Sequence, residues 1–72
     1  MDTKLQELYE DLNVTYFMYT QELQKVYGRG ARDAIYDRAL NRATPKLAML
    51  YDEHSIASQA YSNYVADMRS KL

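Results

Sequence analysis

From Thr44 to Leu72 the chain holds one Pro, at its second position, and no Gly. That run constrains everything else. Thr44 is a good N-cap, and Pro45 suits the first helical position, where its missing N–H would have no intrahelical partner. Beyond them Leu47, Leu50, His54, Ala57, Tyr61, Tyr64 and Met68 recur at alternating spacings of three and four. This is the period of a helix that lays one stripe against its neighbours. The stripe widens to Tyr51, Val65 and Leu72. The spacing predicts a helix over about 45–70, roughly 40 Å long. The remaining residues can do little but pack against it.

A second long helix is predicted over about 3–27. Thr3 with Gln6 three residues on fits a capping box. Leu5, Leu8, Tyr9, Leu12, Tyr16, Tyr19, Leu23, Val26 and Tyr27 share one face at ~100° per residue. Gly28-Arg29-Gly30 ends it, because Gly readily takes the left-handed conformation of a C′ residue. Between the long helices, residues 31–43 read as a short helix with Ile35, Tyr36, Ala39, Leu40 and Ala43 on its apolar face. Asp33, Asp37 and Asn41 are then left facing water. The residue before Pro45 avoids the helical region and closes it. The expected fold is all-α: an antiparallel hairpin of two long helices with a short middle helix, a three-helix bundle within a single domain over 1–72.

Some apolar residues do not fit one buried face. Val14, Phe17 and Met18 point away from the first stripe, and Met49, Ile56 and Ala60 form a second stripe on the last helix. So short a chain has little else with which to cover them. A domain of 72 residues buries only about 60% of its unfolded surface and needs help to be stable. With no Cys and one His, disulfides and a structural zinc are unavailable. Self-association, as a dimer, or a complex with another protein is therefore expected, with these six residues at the interface. The chain has eight Tyr, one Phe and no Trp. Tyr suits half-wet rims, either of a thin bundle or of a recognition surface.

Charge is concentrated by region. Residues 1–24 carry Asp2, Glu7, Glu10, Asp11 and Glu22 against Lys4, a net of −4. Residues 25–46 carry Lys25, Arg29, Arg32, Arg38, Arg42 and Lys46 against Asp33 and Asp37, a net of +4. The basic middle offers contact with nucleic-acid phosphates or an acidic partner. It equally offers contact with the acidic N-terminal region of another copy. The acidic pI of 5.7 and the intruding Asp33 and Asp37 count against nucleic acid. A helix-turn-helix is suggested only superficially, since its turn lacks Gly.

Catalytic patterns are missing. Gly28-Arg29-Gly30 matches neither the Walker nor the dinucleotide motif, and no Glu-x-x-His pair is present for a di-iron bundle. Ser55 and Ser58 flank His54, but one helix face does not supply a triad with an oxyanion hole. His54 is expected to be a satisfied core or rim histidine, with a pH-sensitive contact as the alternative. No cofactor, metal or small-molecule substrate is expected. The start of the chain lacks an apolar signal region, and no window approaches the ~18 apolar residues of a membrane span, so a cytoplasmic location is expected. The sequence thus predicts a small non-enzymatic protein-interaction module, an inhibitor or adaptor. In size, Tyr content and lack of catalytic motifs it is similar to small phage and mobile-element proteins. The alternatives are a small nucleic-acid-binding protein and a minor structural or assembly protein.

Overall fold

The computed structural model describes residues 2–71. It is helical, with two long helices, α1 (Thr3–Tyr27) and α3 (Pro45–Ser70), and one helical turn, α2 (Ala31–Ala34). The contacts between α1 and α3 run in opposite order along the two. Glu22 meets Lys46, Tyr19 meets Tyr51, Thr15 meets His54 and Tyr9 meets Tyr61. The molecule is a rod of 43 × 19 × 19 Å.

Each helix end has a local cause. The cap of α1 is Asp2, one residue before the Thr3 of the predicted capping box. Its carboxylate accepts from the backbone N–H groups of Lys4 at 3.1 Å and Leu5 at 3.2 Å. It also accepts from the Tyr64 hydroxyl at 2.6 Å, fastening the start of α1 to the far part of α3. Gln6 turns instead toward Glu10. At the other end Gly28 has φ 59° and ψ −122°, a positive φ as predicted but not the left-handed helical conformation. Thr44 caps α3 as the sequence predicts, accepting from Leu47 N–H at 3.1 Å, with Pro45 in the first turn.

The predicted helix over 31–43 is a correction. Regular helix stops at Ala34, and only a 3-10 turn, Leu40–Arg42, follows. Asp37 breaks it. Its carboxylate accepts from Ala39 N–H at 2.9 Å and Leu40 N–H at 3.1 Å, a local bond that competes with the helical ladder. Asn41, expected to face water, is buried and donates to the Ile35 carbonyl. Tyr36, expected on the apolar face, is 87% exposed, and Ala39, Leu40 and Ala43 are exposed too. The segment is a strap held by side-chain bonds, among them Tyr27 Oη to the Leu40 carbonyl. Among the described residues there is no third long helix.

The core lies at the strap end. Tyr19 and Leu23 of α1, Ala34 of α2, and Leu47 and Leu50 of α3 are buried together, with Tyr27, Ala31, Ile35 and Tyr51 packed against them. Toward the other end, Leu5, Leu8 and Leu12 of α1 and Ala57, Tyr61 and Tyr64 of α3 are only half-buried. Two thin helices cannot exclude water there unaided.

Candidate interaction face

The seam between the long helices is polar at its middle. The 3–4 stagger of α1 passes through Leu12, Thr15, Tyr19 and Glu22, so Thr15 and Glu22 are half-buried seam residues. The apolar pattern predicted above missed both. It placed Tyr9 and Tyr16 on the stripe, whereas they are exposed at its edge. The Thr15 hydroxyl lies 2.8 Å from the Asp11 carbonyl and 3.2 Å from His54 Nδ1. The shorter contact takes the hydroxyl proton, leaving an oxygen lone pair for Nδ1–H of a neutral imidazole. The His54 ring lies parallel to Tyr19 with centroids 6.3 Å apart, and tilts against Tyr16 at 5.4 Å. His54 is half-buried at the seam.

Burial lowers the pKa of His54 below the ordinary 6.5. The unfolded chain therefore binds the proton more readily, and stability falls as pH drops below 6.5. The thermal midpoint of the protein is expected to decline between pH 7 and about pH 5, ahead of the carboxylates. His54→Gln removes that decline. A midpoint equally pH-dependent in the variant places the titration elsewhere.

The apolar residues outside the seam are all displayed. Val14 is 56% exposed, Phe17 62%, Met18 48%, Met49 52% and Ile56 71%, while Ala60 is half-buried. At ~100° per residue, Val14 and Met18 leave the seam of α1 on one side, and Met49, Ile56 and Ala60 leave that of α3 on the same side. The strap covers the opposite side, over Tyr16, Thr20 and Leu23. In the observed register Val14 lies about level with Ile56, and Met49 lies within one turn of Met18. The two off-seam clusters therefore form one face. A shallow groove of about 500 Å³ crosses it, lined by Phe17, Met18, Gln21, Glu22, Gln24, Lys25, Lys46 and Leu50. Lys46 closes part of the groove by pairing with Glu22 at 3.5 Å.

The six predicted basic residues do not gather. Lys25 and Lys46 flank the groove, whereas Arg29 and Arg32 line a separate hollow beside Gly28 at the tip. Arg42 lies on the strap side, its guanidinium carbon 4.1 Å from the centre of the Tyr51 ring. That cation, helped weakly by a hydrogen bond with Ser55 and by Arg38, lowers the pKa of Tyr51. These residues are thus spread over three parts of the surface. Among the described residues no cluster of His, Asp or Glu could hold a metal ion, and no helix is long and apolar enough to cross a membrane.

No family model, no curated protein and no solved structure matches this chain.

Proposed function

We propose that this chain is a small non-enzymatic protein-interaction module, of the inhibitor or adaptor kind, working in the cytoplasm. One observation carries the reading. Large apolar side chains from both long helices stand exposed on a single side, where a monomer gains nothing from them. Large apolar side chains left exposed on one side mark surfaces that another protein covers. The exposed Tyr residues at the edge, such as Tyr16, supply contact area at low entropic cost.

A photo-reactive phenylalanine analogue in place of Phe17, irradiated in cells, is expected to give a protein adduct. The same analogue in place of Tyr36, on the strap side, gives none. Absence of any protein adduct from position 17 would refute the interaction reading. A shift of random duplex at low salt, lost steeply as salt is added, would establish the nucleic-acid alternative instead.

A further inference from the structure

We propose that the face bearing Val14, Met18, Met49 and Ile56 is covered by a second copy of this chain, packed face to face and end to end reversed, so that α1 lies antiparallel on α1. This rests on the interaction reading above and names its occupant.

Three observations select the second copy. The first is need. Among the described residues only Tyr19, Leu23, Ala34, Leu47 and Leu50 are buried apolar side chains, all near the strap end. A two-helix rod becomes a four-helix core by pairing with itself. The second is size. One side of a 43 × 19 Å rod is on the scale of the ~800 Å² per partner that a standard interface buries. The third is charge. Glu7 and Asp11 leave α1 on the same side as Val14 and Met18, toward the open end, and Lys25 leaves it there toward the strap end. All three are exposed.

These charges also select the orientation. A two-fold axis across the rod, level with position 16 of α1, sets Val14 against Met18 of the second copy and Lys25 against Glu7. On α3 it sets Met49 against Ile56. A two-fold along the rod would instead lay α1 on α3 with both strap ends together. Lys25 would then meet Lys46, whose charge Glu22 already pairs at 3.5 Å, and would gain no acid of its own. The reversed arrangement sets Lys25 against Glu7 at both ends, with the exposed Lys4 beside Glu7 opposing it, a pairing that fixes register more than it adds affinity. Glu53, near the axis on the same flank of α3, opposes the pairing by facing its own copy.

The test is mass in solution, by light scattering and sedimentation equilibrium, from micromolar to near-millimolar concentration. The parent chain is expected to be a dimer. Ile56→Asp is expected to be a monomer of unchanged helicity by circular dichroism, since the parent side chain is exposed within one copy. Lys25→Glu and Glu7→Lys each weaken the dimer about tenfold, since each is repeated twice across the two-fold. The two combined in one chain restore the parent affinity, and Glu53→Gln tightens it. A parent that stays monomeric overturns the proposal, and so does a dimer that the combined charge reversal fails to restore. A monomer whose position-17 analogue still couples to a different protein overturns the second copy alone. A monomer with no adduct overturns the interaction reading as well.

Discussion

Leu47→Ala is expected to lower the unfolding free energy by about 3 kcal/mol, the cost of a buried Leu plus the cavity it leaves. Leu47 is fully buried, and it opposes Leu23 across the strap end with Ala34 and Leu50 beside it. The surroundings have little room to collapse into the gap, because α2 is a single turn pinned between Gly28 and Asp37. A domain this small has roughly 5 kcal/mol to lose, so the variant sits close to unfolding at room temperature. Urea titration followed by circular dichroism reads the change as a fall in midpoint. Tyr36→Ala is the matched control. It removes a larger side chain, but one that is exposed, and it is expected to cost under about 0.5 kcal/mol. Had 31–43 been a helix packed through Tyr36, the two variants would behave alike. Equal losses would therefore refute the strap as described.

Sequence and structure agree where one cause acts alone. The start of α3 depended on Thr44 and Pro45, whose preferences are local and reinforce each other, and both act as read. The 3–4 spacing placed Leu23, Leu47 and Leu50 inside, because hydrophobic periodicity survives any detail of packing. The strap was misread because Ile35, Ala39 and Leu40 fit a helical face, and pattern alone carries no term for the Asp37 carboxylate capping the next turn. The rule was available: Asp competes with the helix by bonding nearby backbone N–H groups. The seam was misread at Thr15 and Glu22 for a related reason. Both are polar, so an apolar stripe skips them, yet each has a partner across the seam, in His54 and Lys46. A strict heptad count through Leu12 and Tyr19 would have found them. The exposed face was legible as a surplus. Val14, Phe17, Met18, Met49 and Ile56 had no place in a hairpin's own core, and they have none. That the two clusters share one side required the register between α1 and α3, which sequence spacing within either helix does not contain.

Gly28→Ala is expected to cost about 2 kcal/mol, entirely through the backbone. Gly28 stands at φ 59°, ψ −122°, a region that a Cβ makes costly and that Gly enters freely. A Cβ built there would meet nothing within 4 Å, so no steric contact with the rest of the fold contributes. Its N–H still reaches the Gln24 carbonyl, which holds the last turn of α1 while the chain changes direction toward Ala31. Ala at this position has two ways to respond. It keeps the turn and bears the strain, or it extends α1 by a turn and carries Ala31 and Ala34 away from Leu23 and Leu47. The second response exposes the core, so it is taken only if it costs less than the strain, which is therefore the ceiling on the loss. Gly30 separates the effects. Its φ is negative, and an added Cβ would meet only Tyr27 Cβ at 3.9 Å, an ordinary contact. Gly30→Ala is therefore expected to be neutral or stabilising by up to about 1 kcal/mol, since it restricts the unfolded chain without straining the folded one. Thermal melts of the two variants at one concentration, below the range of association, read the contrast directly. If Gly30→Ala proves the more damaging, the direction change between α1 and α2 lies at the wrong glycine.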